Sequence, residues 1–238
     1  MHDSILYWKG CMSRLRTKNI SDSTMALLDR MGVNFETLDG NEGCCGSVLL
    51  RTGQVEAAKR AAEVTVERIS SGGFKEVVTA CPGCFRTMAS EYPKILEEVP
   101  FRVRHISQFL VEKKDLIKDR LGSVELKACY HDPCHLGRHM GVYDEPRELI
   151  RMVPGLQLIE MKNNRSRSFC CGSGGGVRSV YPDLSREVAK TVAADQIPSG
   201  VQLLVTACPF CNFNFREVHV GQFRVMDLPE LLLLAWRV

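Results

Sequence analysis

The sequence predicts an α/β fold of two pseudo-symmetric repeats, each a small parallel sheet flanked by helices, with cysteines at the carboxyl ends of strands. Three observations predict it: a cysteine motif occurs twice, the segments around it recur, and strand-like segments alternate with helical ones in both halves. We expect the repeats to span residues 1–115 and 116–238, joined near the charged segment 113–122, and to face each other around a pseudo-twofold axis.

The cysteine motif reads C-x32-CC-x35-C-x2-C in the first half and C-x35-CC-x36-C-x2-C in the second. The offset between the halves is 123 residues at the first cysteine, 126 at the pair and 127 at the last two, as expected for an internal duplication. The candidate metal ligands of the first half are Cys11, Cys44, Cys45, Cys81 and Cys84. Those of the second half are Cys134, Cys170, Cys171, Cys208 and Cys211.

The segments that flank the cysteines recur as well. Gly43–Ser47 matches Phe169–Ser173, and Val78–Phe85 matches Val205–Asn212. Cys129 alone lies outside the motif, in a strand-like stretch, and we expect it to be a buried, apolar-type cysteine.

In the first half, apolar segments predict strands at Ile5–Trp8, Asn34–Leu38 and Glu76–Ala80. Helices are predicted over Ser23–Met31, which Gly32 would end, and over a stretch starting at Val55 where apolar residues recur at helical spacing. The third strand leads directly into the Cys-Pro-x-Cys segment.

The second half repeats this order. Strands are predicted at Leu126–Tyr130, Leu156–Met161 and Gln202–Ala207, and helices at Glu145–Met152 and through Leu184–Val192. Every motif cysteine therefore follows a predicted strand, so the five cysteines of one half can converge although they are far apart in the chain.

Composition narrows the functional classes. The chain has 238 residues, of which 45% are hydrophobic, and a net charge of +3 that is too balanced to indicate nucleic-acid binding. We recognise no export signal and no run of 18 apolar residues. The sequence therefore predicts a cytoplasmic protein with no membrane insertion of its own, and membrane association only through partner subunits.

The eleven cysteines are best interpreted as metal ligands. The odd count, the adjacent pairs and the expected reducing compartment argue against disulfides. Zinc takes four ligands, whereas each half offers five, which favours a polynuclear iron–sulfur site. Structural zinc, particularly in the first repeat, and a thioredoxin-like relay at Cys81 and Cys84 stay open as alternatives.

Glycines beside the Cys-Cys pairs are the candidate cofactor-binding residues. Gly46 and Gly172 would let the backbone approach a bulky inorganic group. The glycine-rich run 172–176 has a phosphate-binding nest as its alternative interpretation. The prolines of the two Cys-Pro-x-Cys segments suit the first turn of a helix, whose free amides can donate to sulfur.

Nearly the whole chain resembles the cysteine-rich CCG domain family, because both motif copies contain Cys-Cys-Gly and Tyr130–Arg138 is similar to the second-repeat entry of its members. That family includes the catalytic subunits of heterodisulfide reductases, which occur in a B form and a D form, and iron–sulfur subunits of succinate, glycolate, lactate and glycerol-3-phosphate oxidoreductases. Both repeats are complete here, which favours the heterodisulfide reductase branch.

The resemblance implies two non-cubane 4Fe–4S clusters, each held by the five motif cysteines of one repeat, and reductive cleavage of the coenzyme M–coenzyme B disulfide between them. It also implies redox partners: a ferredoxin-like iron–sulfur subunit and a flavoprotein or cytochrome b subunit. The ferredoxin-like region that is fused in the D form is not found in this sequence, so we expect the electron donor on a separate polypeptide. The alternative is an electron-transfer subunit between a flavoprotein dehydrogenase and a quinone or cytochrome.

Other polar residues near the motif receive weaker interpretations. Three histidines recur every four residues, and we expect polar packing or hydrogen bonding from His131, His135 and His139. Three arginines would attract an anionic substrate or simply face solvent: Arg138, Arg165 and Arg167.

Overall fold

The computed structural model describes residues 4–218 and 223–237, which form two four-stranded parallel sheets. The first sheet has the order β2-β1-β3-β4 and contains β1 (Ile5–Tyr7), β2 (Phe35–Glu36), β3 (Glu76–Thr79) and β4 (Arg102–His105). The second has the order β6-β5-β7-β8 and contains β5 (Lys127–His131), β6 (Gln157–Glu160), β7 (Leu203–Thr206) and β8 (Arg224–Asp227). The predicted fold class is confirmed.

Helices follow the strands and cover both sheets. Those of the first half are α1 (Cys11–Leu15), α2 (Lys18–Arg30), α3 (Ser47–Arg51), α4 (Val55–Ser71), α5 (Pro82–Arg86), α6 (Tyr92–Ile95) and α7 (Ile106–Glu112). Those of the second half are α8 (Gly137–Met140), α9 (Asp144–Arg151), α10 (Val177–Val180), α11 (Pro182–Gln196), α12 (Pro209–Val218) and α13 (Leu228–Ala235). Among the helices of the described ranges, none is long and apolar enough to cross a lipid bilayer.

The two halves repeat in register as well as in order. Tyr7 of β1 lies opposite Val78 of β3, and Tyr130 of β5 lies opposite Val205 of β7. The long helices α4 and α11 bury the same positions at the same helical spacing. These are Ala58, Ala62, Thr65 and Ile69 in α4, and Ser185, Ala189, Val192 and Gln196 in α11.

The sequence interpretation missed the fourth strand of each sheet. β4 and β8 are short, and charged residues in them weaken the apolar signal. A repeated Phe-Arg-Val triplet, at 101–103 and 223–225, marks both strands and could have located them. The helix predicted from Ser23 begins earlier, at Lys18, because Ile20 and Ser21 already belong to its buried face.

The repeats pack closely on each other. Helix α2 contacts α13, and α7 contacts α9. Asn19 of the first half donates a 2.8 Å hydrogen bond to Glu230 of the second. One hydrophobic core runs through both halves, from Leu6 and Val77 to Leu203 and others of the second sheet. The boundary between residues 115 and 116 stays a prediction.

Candidate metal centre

The structure places the motif cysteines just beyond the carboxyl ends of strands. In the first repeat, Cys11 is the first residue of α1 and follows β1. The adjacent pair, Cys44 and Cys45, lies between β2 and α3, and Cys81 and Cys84 lie between β3 and α5 and within α5. The second repeat places its five cysteines in the same way around β5, β6 and β7. Parallel strands direct these loops to one edge of each sheet.

Local sequence explains the Cys-Pro-x-Cys turns. Pro82 occupies the first turn of α5, where no backbone amide is needed, and the Thr79 hydroxyl accepts a 3.2 Å hydrogen bond from the Cys81 amide. Gly10 has φ +79°, and a Cβ there would lie 3.2 Å from Cys84 Sγ. The glycine thus lets the loop after β1 approach the thiol of Cys84 closely.

Within each repeat the five thiols form a continuous series of side-chain contacts. The order is Cys11, Cys44, Cys45, Cys84, Cys81 in the first repeat. It is Cys134, Cys170, Cys171, Cys211, Cys208 in the second. Residues 33 to 40 positions apart in the chain therefore meet, as the motif spacing predicted. Cys129 is fully buried away from both groups, and its burial raises the pKa of its thiol to about 12.

The electrostatics suit an anionic sulfur site. Hydrogen bonds from neighbouring thiols, at Cys11 and Cys45, hold the pKa of Cys44 well below its ordinary value, and Cys170 behaves in the same way. The thiols that donate have raised pKa values. Each repeat thus favours one thiolate, and holding several would require a bound cation. A thiolate-rich, positively charged inorganic group fits this donor set.

Gly46 and Gly172 contribute through their backbones. Each amide donates a 3.4 Å hydrogen bond to the first sulfur of its pair, Cys44 or Cys170. Both glycines have positive φ values, and a Cβ at Gly172 would lie 2.9 Å from the Ser185 carbonyl of α11. Close packing on the long helix therefore demands glycine at Gly172. The role of both glycines in binding a cofactor stays a prediction.

All ten motif cysteines line a single cleft between the repeats, with about 680 Å³ of open space. Its wall is completed by Ser47, Val48, Arg51, Gly83, Pro133, His135, Gly174, Gly175 and Phe210. Arg51 is the one charged residue among these lining residues. In the described ranges, no group of three or more His, Cys, Asp or Glu side chains has the arrangement of a site for one metal ion.

Of the three histidines, two reach the neighbourhood of the cleft. His131 is buried, with Nε2 3.0 Å from the Phe169 carbonyl oxygen and its ring against Phe215. His135 lines the cleft, and its ring lies 5.4 Å from that of His139. His131 therefore packs as a hydrogen-bonding core residue, whereas His135 faces the candidate site.

The arginines singled out from the sequence are engaged elsewhere. Arg138 donates to the Ser168 carbonyl, and Arg165 pairs with Asp144 at 2.5 Å. Sequence reasoning missed Arg51 instead. Arg51 comes one helical turn after the serine of Cys-Cys-Gly-Ser, and that spacing was the available signal.

Comparisons with known proteins agree with this arrangement. The model of the cysteine-rich domain family CCG matches residues 5–89 and again residues 128–216. The D form of the heterodisulfide reductase catalytic subunit from Methanosarcina acetivorans is 40% identical over 98% of the chain, which covers 58% of that protein. An iron–sulfur protein from Methanocaldococcus jannaschii is 32% identical over 90% of the chain and 41% of its own length. An EtfAB:quinone oxidoreductase from Syntrophomonas wolfei is 30% identical over 87% of the chain and 30% of its own length. The chain thus spans at most 58% of the length of these relatives.

Proposed function

Because the chain belongs to the cysteine-rich CCG domain family, we propose that its two groups of five cysteines hold iron–sulfur clusters in an oxidoreductase subunit. The observation that carries the proposal is the single cleft lined by all ten thiols. Residues 1–115 and 116–238 are proposed as the two units that supply five ligands each. Relatives that are subunits of redox enzymes support an oxidoreductase role with other redox subunits as partners.

The proposed reaction is the reduction of a small disulfide of the coenzyme M–coenzyme B type. Two electrons and two protons cleave the sulfur–sulfur bond and give two thiols, and the clusters, when bound, would supply the electrons. The chain would hold one cluster on each wall through Cys11, Cys44, Cys45, Cys81 and Cys84 and through Cys134, Cys170, Cys171, Cys208 and Cys211. Substrate sulfur would enter the cleft between them, and this part of the chain would be the catalytic module.

The proposal includes the type of cluster and the setting. Five thiolates per site favour non-cubane 4Fe–4S clusters, with zinc in the first repeat as the alternative. Electrons would come from a ferredoxin-like, flavoprotein or cytochrome b subunit. A cytoplasmic location, with membrane association through such subunits, completes the proposal.

A second candidate function is favoured by the likeness to an EtfAB:quinone oxidoreductase. In that role the chain would pass electrons between a flavoprotein dehydrogenase and a quinone or cytochrome, and the cleft would bind no disulfide. The two functions share the same cofactors and differ in whether a thiol reaches the cleft.

Metal analysis tests the cofactor. After anaerobic purification we expect iron and acid-labile sulfide, and loss of about half of each in a Cys44→Ser variant or a Cys170→Ser variant. Cys129→Ala is the control, because Cys129 lies outside the cleft, and it should retain the parent content. Stoichiometric zinc without acid-labile sulfide would contradict the proposal.

A thiol titration separates the two functions. Addition of coenzyme M thiol to the oxidised, cluster-loaded protein should change its electron paramagnetic resonance spectrum if the cleft binds substrate sulfur. A spectrum that stays constant at high thiol concentration would instead support the electron-transfer role.

A further inference from the structure

The two walls of the cleft differ although the repeats are alike. By the repeat offset, Arg51 of the first wall corresponds to Val177 of the second, and Gly83 corresponds to Phe210. A Cβ at Gly83 would be 3.8 Å from His135 Nδ1, so the first wall leaves room where the second carries an aromatic ring. The cleft is therefore charged and open on one side and apolar on the other.

Arg51 is held in place by Glu91. Arg51 Nη2 lies 2.9 Å from Glu91 Oε1, and the side chain is 19% exposed. The same carboxylate takes Arg86 at 3.0 Å and Lys94 at 3.2 Å. Three cations thus share one carboxylate, which leaves this group with a net positive charge. The guanidinium carries five N–H donors, so donors beyond the Glu91 bond can bind an anion.

The positive field reaches the opposite repeat. Burial, and then the charges of Arg86 and Arg51, lower the pKa of His135 to about 4. His139 has a lowered pKa for the same causes in the same order. Both imidazoles are therefore neutral, and the positive charge near the cleft mouth comes from the arginines of the first repeat. The corresponding positions 177 and 213 of the second repeat, Val177 and Phe213, carry no charge.

We propose that Arg51, positioned by Glu91, binds the oxyanion of a small thiol or unsymmetrical disulfide and so gives the cleft a direction. A sulfonate, phosphate or carboxylate would lie on the first-repeat side, and the less charged arm would lie toward Phe210. This inference rests on the proposed disulfide reductase function and adds which end of the substrate each repeat receives.

The test compares a charged and a neutral thiol on the cluster-loaded protein. We expect 2-mercaptoethanesulfonate to bind more tightly than 2-mercaptoethanol, with both followed by electron paramagnetic resonance. Arg51→Gln should raise the Kd of the sulfonate by about tenfold or more, as the loss of a charge-assisted hydrogen bond implies, and change that of mercaptoethanol by less than about twofold. Binding of ethanesulfonate, measured by calorimetry, gives a readout that needs no sulfur–iron contact and should weaken in parallel.

Arg178→Gln is the matched control. Arg178 lies in the short helix after the Cys-Cys pair of the other repeat and pairs with Glu217, with a similar exposed fraction of 16%, but it does not line the cleft. We expect it to retain the parent preference for the sulfonate. Equal losses in both variants, or equal weakening of both thiols by Arg51→Gln, would overturn the inference and leave the proposed function intact.

Two further outcomes are distinguishable. If Arg51→Gln fails to fold or to load iron, Arg51→Lys replaces it. Lysine keeps the charge but loses the planar fork, so the sulfonate should bind several-fold more weakly than to the parent protein. Parent-like sulfonate binding by this variant would contradict the proposal. If neither thiol binds the parent protein and no disulfide is reduced, the proposed function itself is wrong, and the inference falls with it.

Discussion

At the scale of single residues, the cysteine motif determines most of the candidate site, and a few other side chains determine its character. The Cys-Pro-x-Cys prolines and the close approach of Gly10 follow from local chain geometry. Glu91 does not, because it is 40 residues from Arg51 in sequence and serves three cations at once. Its effect on stability can be measured separately from any effect on the cleft.

Glu91 should stabilise the protein above acidic pH. Burial opposes its charged form, but hydrogen bonds from Arg51 and Lys94 outweigh that and lower the pKa of Glu91 from 4.5 to about 2. After a discount for solvent screening, we expect Glu91→Gln to lower the free energy of unfolding by about 1 to 2 kcal/mol at pH 7. A depressed carboxylate pKa gives stability that is complete above pH about 4.5 and is lost as the pH falls toward 2.

The measurement is urea denaturation of the parent protein and the variant between pH 7 and pH 3. Their difference should shrink as the pH falls. Glu98→Gln, at an exposed glutamate nearby, should match the parent throughout. A difference between parent and Glu91→Gln that is constant over this range would refute the assigned pKa shift.

At the scale of elements, a buried ion pair joins helix α9 to the loops of the second site. Arg147 is fully buried and makes two 2.7 Å hydrogen bonds to Asp132, and it also binds Glu160 at 2.8 and 2.9 Å. Asp132 in turn accepts the Arg165 amide at 2.8 Å, just before the second Cys-Cys pair. The helix thereby fixes the loop of Cys134 relative to that pair.

Arg147→Met should destabilise the protein strongly. Removal of the guanidinium leaves Asp132 buried and unpaired, which costs about 3 to 5 kcal/mol. Arg151→Met is the matched control on the same helix, because Arg151 is 59% exposed and 3.8 Å from Glu160. We expect that control to change the free energy of unfolding by less than about 0.5 kcal/mol. Denaturant titrations that give similar values for the two variants would show that the ion pair has no such role.

At the scale of the whole molecule, the two repeats share a core and a cleft. Residues of both sheets belong to one hydrophobic cluster, and α2 and α7 of the first half pack on α13 and α9 of the second. Neither repeat can therefore lose its fold without exposing apolar surface of the other. We expect one cooperative unfolding transition for the chain.

The chain's two tryptophans allow this cooperativity to be measured. Trp8 is buried at the end of β1, and Trp236 follows α13 in the second half. A Trp236→Phe variant reports on the first repeat by fluorescence, and a Trp8→Phe variant reports on the second. In each variant the fluorescence midpoint should coincide with that of far-ultraviolet circular dichroism. Separate midpoints would mean that the repeats unfold independently.

Local pattern explains which features were predictable. The strand–helix alternation and the long helices α4 and α11 follow from apolar periodicity, which a single segment carries by itself. Strands β4 and β8 escaped because Arg102, Arg104 and Asp227 interrupt that periodicity, and only a comparison of the halves reveals them. The early start of α2 escaped because polar residues in its first turn obscure a buried face.

The sequence by itself determined the duplication, the α/β class and the ten candidate ligands, because spacing and periodicity along the chain encode them. The tertiary structure decided that both cysteine groups open onto one cleft, and that Arg51 lies on one wall of it with Glu91 behind. It also decided that Arg138 and Arg165 are engaged elsewhere. These features depend on contacts between residues far apart in the chain, and only the packing of the two repeats brings those residues together.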